Sequence, residues 1–206
     1  PYMNIGDVRY YSNPKNFSLS NNEQKYQFLK INSFRNINVY ELNEYLNKLN
    51  VKSGKEAIFK GKAQAFVDAA RKHDIDPIYL VAHTMLETGY GNSVLAQGVV
   101  VAKDADGNPV PPTKVYNLFG IGAIDADPVG RGSKTAYTLG WTSIEKAIEG
   151  AAKWIATGVK ADSSIGLKAS EGYLHSKKFT HQYTLYAMRF DYIYKWHEYS
   201  TDVGWP

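Results

Sequence analysis

Between Asp76-Pro77 and Gly89-Tyr90-Gly91 the chain has room for one helix and for little else. An aspartate can accept the unpaired amides of a first turn, and proline is pre-set for the first helical position. Glycine ends a helix because it enters left-handed backbone without strain. Inside these bounds Leu80, Val81, Thr84 and Met85 crowd the segment with apolar surface. The helix from Pro77 to about Thr88 is therefore expected to be buried on most sides, and other elements must surround it.

Several segments can supply that cover. From Val39, the residues Leu42, Tyr45, Leu46 and Leu49 recur at helical spacing, predicting a short amphipathic helix that Ser53-Gly54 breaks. Residues 55–73 repeat the pattern with Ala57, Ile58, Ala65, Phe66 and Ala69, predicting a second helix that stops before the Asp74–Asp76 turn. Thr142-x-x-Glu145 reads as a capping box ahead of Ile144, Ala147, Ile148, Ala151, Ala152 and Ile155, with an end at Gly158. Residues 98–116 change character: Val99, Val100 and Val101, then Asp106-Gly107-Asn108, then Val110 and Val115 predict a β-hairpin inserted between helices. Residues 117–140, with glycines at 120, 122, 130, 132 and 140, read as loop with short strands. A further helical stretch is expected around 180–188, residues 1–22 read as an extended leader, and residues 23–36 show no clear period. The fold class is mainly α (α+β), a helical domain with a small β-hairpin lobe.

With 206 residues, 44% of them hydrophobic and 21% charged, the chain suits one globular domain with an extra lobe or ordered tail. No apolar run approaches the roughly 20 residues of a membrane span. No Lys/Arg-led apolar segment opens the chain, and Pro1 reads as the start of a mature or trimmed fragment. Cysteine is absent, which excludes disulfides, zinc-thiolate sites and thiol nucleophiles. A net charge of +4 is compatible with an anionic partner or with a well-mixed surface, and no run of five Lys/Arg marks a nucleic-acid patch. The 16 Tyr, 8 Phe and 4 Trp stand out. Many of the tyrosines fall in polar stretches, where aromatic faces suit the flat apolar faces of sugars, although core packing accounts equally for most of them.

Most catalytic patterns are missing. The histidines at 73, 83, 175, 181 and 197 form no HExxH motif. His83 and Glu87, one helical turn apart, could share a metal, but a core or supporting role for the histidine is the stronger reading. Gly89-x-Gly91 and Gly120-x-Gly122 lack the third glycine of a dinucleotide loop, residues 130–135 fail the spacing of a phosphate loop, and no GxSxG elbow exists. What remains is Glu87, an acid at the end of an apolar helix and directly before a glycine turn. Apolar surroundings disfavour a charged carboxyl, which is how a general acid stays protonated near neutral pH. The turn leaves room for a polymer, with Asn92 and Ser93 offering hydrogen bonds. A glutamate that merely meets solvent at a helix end explains the same residues.

Three longer stretches are more specific. Leu86-Glu87-Thr88-Gly89-Tyr90-Gly91-Asn92-Ser93, Val115-Tyr116-Asn117-Leu118-Phe119-Gly120-Ile121-Gly122-Ala123, and Lys134-Thr135-Ala136-Tyr137 through Gly140-Trp141 resemble glycoside hydrolase family 73. More narrowly, they are similar to the glucosaminidase domains of Gram-positive autolysins. The stretches Thr184–Phe190 and Tyr199–Val203 fit the same group, and the resemblance covers about residues 38–206, leaving 1–37 as an extended segment or linker. It implies a lysozyme-like fold with a β-lobe at about 98–125, and hydrolysis of the β-1,4 bond on the reducing side of N-acetylglucosamine in peptidoglycan. Glu87 takes the place of the family's general acid. Asn117 and Phe119 match its cleft motif, and Tyr90, Tyr116, Tyr137, Trp141, Tyr183 and Tyr186 become substrate-wall residues. For a second carboxylate, residues 93–125 offer no glutamate, only Asp104, Asp106 and Asp125. The alternative is attack by the sugar's own 2-acetamido oxygen, with Tyr186 or Tyr183 steadying the charge.

The resemblance further implies peptidoglycan strands and anionic wall polymers as partners, no nucleic acid, no metal and no organic cofactor. It points to a secreted, wall-associated monomer acting in wall remodelling, cell separation or autolysis. A muramidase or lytic transglycosylase, or a wall-binding module without catalysis, are the competing readings.

Overall fold

Asp76 does what the sequence asks of it. In the computed structural model its Oδ1 accepts from the amides of Ile78 at 2.9 Å and Tyr79 at 3.0 Å, while its other oxygen pairs with Arg35. The carboxyl is fully buried, so both the cap and the ion pair are needed to compensate its lost hydration. Residues 31–36, where the pattern shows no period, are thereby tied down. Asp76 donates its amide to the Ile31 carbonyl at 2.9 Å, and Phe34 donates its own to Asp74 at 2.7 Å.

The structure describes residues 31–158 continuously and, before them, Gly6, Tyr10, Pro14–Asn16, Ser18 and Ser20. The expected leader lies largely outside the described residues; the expected helix around 180–188, with Tyr183 and Tyr186, lies entirely outside them. Within them run α1 (Val39–Asn47), α2 (Ala63–Lys72), α3 (Pro77–Glu87), α4 (Val94–Gln97), β1 (Val99–Lys103), β2 (Pro109–Val115), α5 (Pro128–Thr138) and α6 (Ile144–Thr157). The fold is mostly helical with one small antiparallel sheet.

Helix α2 lies centrally, packed on α1, α3 and most extensively on α6. Phe66, Val67 and Ala70 of α2, Leu80 and Met85 of α3, and Ile148 and Ile155 of α6 meet in one core. That core continues through Val101 and Val115 of the hairpin to Ala136 of α5. The hairpin is as expected: Val99 faces Val115 and Val101 faces Thr113, with an irregularity between Val101 and Lys103. Its turn closes between Asp104 and Asn108, whose amide reaches the Asp104 carboxylate at 2.8 Å. Helix α5 covers the hairpin, and α4 packs on α5. No helix among the described residues is long and apolar enough to cross a membrane.

Three expectations are corrected. The second helix starts at Ala63, not at 55, because Gly61 sits at φ 72°, outside the right-handed helix. Residues 57–62 form successive turns that still bury Ile58 and Phe59. Residues 128–138 are a helix rather than loop: Asp127 caps it with a bond from the Gly130 amide at 2.9 Å, and Pro128 opens it. Its glycines admit neighbours, since a Cβ on Gly132 would lie 2.8 Å from Leu95 Cδ1. The last helix is capped by Ser143, which accepts from the Lys146 amide at 3.3 Å, and not by Thr142. Short α4, capped by Ser93, is an element the sequence pattern does not announce.

A second close approach makes a test of the core. A Cβ on Gly150 of α6 would fall 2.1 Å from Nε1 of Trp141. Gly150→Ala is expected to destabilise the fold by about 1–3 kcal/mol through overpacking, read as a melting temperature lower by several degrees. An unchanged melting curve would mean that the indole moves aside freely.

Candidate active site

Glu87 is the last residue of α3, and the turn that follows it is unusually well held. Gly89, Tyr90 and Gly91 have φ of 55°, 59° and 84°, three left-handed residues in succession. For Tyr90 that conformation carries strain, so the surroundings must impose it. They do so through hydrogen bonds. The Tyr90 amide donates to the Met85 carbonyl at 2.6 Å, and buried Thr88 donates its hydroxyl to Thr84 O at 2.6 Å while accepting from the Gly91 amide at 2.9 Å. From outside, Gln97 donates to the carbonyls of Gly91 at 2.7 Å and Glu56 at 2.9 Å. The helix end that carries the carboxyl is thus a rigid mount.

The carboxyl itself is not sealed in apolar surroundings, which corrects the reading made from the helix composition. Its side chain is 37% exposed, and Oε1 lies 3.2 Å from Nε2 of His83, one turn earlier. His83 is 3% exposed, its Nδ1 stands 3.0 Å from the hydroxyl of Tyr79, and the ring of Phe119 meets it edge-on at 4.8 Å. Both ring nitrogens face these partners, and no group of three or more metal-binding side chains exists among the described residues.

Glu87 opens onto a cleft of about 250 Å³ between the end of α3 and the loop after β2. Ser93, Asn117 and Phe119 line it, together with Val94, Leu95, Leu118, Gly120 and Val129. One wall is apolar and suits a sugar face, while the acid supplies the reactive edge.

A family model described as mannosyl-glycoprotein endo-beta-N-acetylglucosaminidase, of the Glucosaminidase family, matches residues 63–206, more than half of the chain. The chain belongs to the glucosaminidase family. Over 199 residues it is 37% identical to the beta-N-acetylglucosaminidase of Bacillus subtilis (strain 168), covering 97% of this chain and 19% of that protein. The chain therefore spans about a fifth of the length of that curated relative. The crystal structure of a major bifunctional autolysin superposes with a TM-score of 0.70 at 32% identity, covering 100% of this chain and 72% of that one. A catalytic mutant of S. aureus autolysin E in complex with the disaccharide NAG-NAM superposes with a TM-score of 0.57 at 26% identity, covering 100% and 74%.

The remaining residues singled out in the sequence divide by position. Asn117 borders the cleft but is 1% exposed, and its side chain is fully engaged inside. Nδ2 donates to Ile121 O at 2.9 Å and Gly132 O at 3.0 Å, and Oδ1 accepts from the Ile121 amide at 3.0 Å. Asn92 is held behind the turn, donating to Gly89 O at 2.7 Å and accepting from the Lys52 amide at 2.8 Å. Trp141 is 5% exposed, laid against Gly150, and belongs to the core rather than a cleft wall. Tyr137 packs half-buried against that core, and Tyr116, also half-buried, lies beneath the Lys114 ammonium at 5.5 Å. Tyr90 is 53% exposed on the turn.

Among the described residues no candidate for a second carboxylate lines the cleft. Asp125 is exposed in the turn before α5. Asp104 braces the hairpin turn: desolvation works against its ionisation, but bonds from Asn108 and the amides of Asp106 and Gly107 hold its carboxyl below the usual range. The motifs do not single out Gln97 as a fixing of the turn, or Leu95 and Val129 as wall, while His83, read as a core or supporting histidine, is a direct partner of the acid. For His83 the spacing of four from Glu87 is the available signal.

Proposed function

We propose that this chain hydrolyses the β-1,4 bond between N-acetylglucosamine and N-acetylmuramic acid in peptidoglycan, with Glu87 as general acid. The observation that carries it is the mounting of Glu87: a carboxyl on a rigid helix end, one oxygen facing His83, open to a cleft with an apolar wall. The NAG-NAM complex of a relative at 26% identity supports the substrate class. Residues 38–206 form the catalytic unit, 98–125 its facing lobe, and 1–37 a segment or linker. The enzyme acts outside the cell, at the wall.

Among the described residues Glu87 is the one acid that lines the cleft, and the chemistry is built on it. Glu87 gives its proton to the glycosidic oxygen as the bond to the anomeric carbon breaks. The 2-acetamido oxygen of the same sugar bonds to that carbon in place of a protein nucleophile, giving a cyclic oxazolinium. Glu87, now ionised, takes a proton from water, whose hydroxide opens the ring and restores the acetamido group. Tyr183 or Tyr186 steadies the positive charge.

Mass spectrometry of borohydride-reduced products from purified peptidoglycan tests the reading. Reduced N-acetylglucosamine ends are expected. Reduced or 1,6-anhydro muramic ends would move the cut to the other bond, and an absence of new ends despite binding would make the chain a non-catalytic wall module.

A further inference from the structure

The line from Tyr79 through His83 to Glu87 runs along one face of α3, each residue four positions after the last. Its hydrogen bonds of 3.0 Å and 3.2 Å join a buried phenol to the acid through a buried imidazole. Such a chain has a direction. A neutral imidazole carries one N–H and one bare nitrogen, so the two ends cannot both be donors. Building on the proposed function above, we infer that Tyr79 and His83 are positioning residues that keep the catalytic proton of Glu87 on Oε2, the oxygen free to meet substrate.

With the Tyr79 hydroxyl donating to Nδ1, the imidazole hydrogen sits on Nε2 and points at Oε1. An acid proton on Oε1 would then face another hydrogen, so it occupies Oε2. In the opposite tautomer Nδ1–H donates to the phenol oxygen, and the bare Nε2 accepts the Glu87 proton, turning it away from the glycosidic oxygen. The first arrangement is productive and the second is not. After transfer, the same Nε2–H bonds the ionised carboxylate and supports it as the base that takes a proton from water. Phe119, edge-on at 90° to the imidazole, and the 3% exposure of His83 oppose rotation of the ring and its replacement by water. Among the described residues the titratable groups facing His83 are Tyr79 and Glu87 on its own helix, while the loop after β2 presents the apolar ring of Phe119.

The test uses His83→Leu, His83→Gln and Tyr79→Phe on peptidoglycan, with the wild type and Glu87→Gln as references. A hydrogen bond to an ionisable partner corresponds to roughly a tenfold to hundredfold change in rate. His83→Leu is expected to lose that much in kcat with KM little changed. His83→Gln, whose amide can offer an N–H to Oε1, should recover about tenfold over His83→Leu. Tyr79→Phe, which deletes a single oxygen, should lose several-fold in kcat with KM little changed, and it carries the test if the histidine variants do not fold. Full kcat in Tyr79→Phe, or glutamine performing no better than leucine while activity tracks melting temperature, would overturn the inference and leave His83 as packing. Full activity of Glu87→Gln would instead remove the functional reading beneath it.

Discussion

Glu87→Gln is expected to reduce kcat by about 10³-fold or more while folding and binding of glycan persist. General acid catalysis contributes typically 10²–10⁴-fold, and among the described residues no second carboxyl lines the cleft to share the task. The substitution removes the transferable proton and little else. A glutamine oxygen can still accept from Nε2 of His83, and the turn behind it is held by Thr88, Gln97 and Asn92 rather than by the carboxyl. The loss should therefore appear in kcat, about 4 kcal/mol in barrier height, with the melting temperature within a degree or two of wild type. Binding to insoluble peptidoglycan by co-sedimentation and turnover by release of reducing ends separate the two effects. Retained turnover would move the acid elsewhere; loss of binding together with turnover would make Glu87 a substrate anchor.

How far this site is visible in sequence depends on whether the deciding contact is local. Helix α3 and its acid are legible because start, stop and content lie within one stretch from Asp76 to Gly91. The hairpin is legible for the same reason. Helix α5 is concealed by Gly130 and Gly132, which weaken its local preference, although Asp127-Pro128 repeats the start signal of Asp76-Pro77. Those glycines exist for neighbours, Asp127 within the helix cap and Leu95 across from it, and nothing near them in sequence says so. Trp141 shows the converse error: a large aromatic in a polar, glycine-bounded stretch reads as a sugar platform, but a bare Cα at Gly150 gives it a place in the core. Tertiary partners, not propensity, decide each of these cases.

Asn117→Leu should be the most damaging substitution outside the acid, and its expected signature separates architecture from substrate binding. Leucine nearly matches asparagine in volume, but it leaves the Ile121 amide and the carbonyls of Ile121 and Gly132 without their buried partner. At about 1–3 kcal/mol for each stranded group, partly relieved by relaxation, the loss is roughly 3–5 kcal/mol, a large part of the stability of an ordinary domain. The melting temperature should fall by about 10 °C or more. Function should fall with it. Asn117 joins three parts of the cleft: its side chain holds the 117–121 loop and α5, and its amide donates to Leu95 O of α4 at 3.0 Å. That loop carries Phe119 against His83, so loosening it frees the imidazole that faces Glu87. Thermal unfolding and kcat measured on the same preparation are expected to decline together. An unchanged melting temperature with a raised KM would instead return Asn117 to the role that its place in the cleft motif suggests, a hydrogen-bonding contact to the sugar.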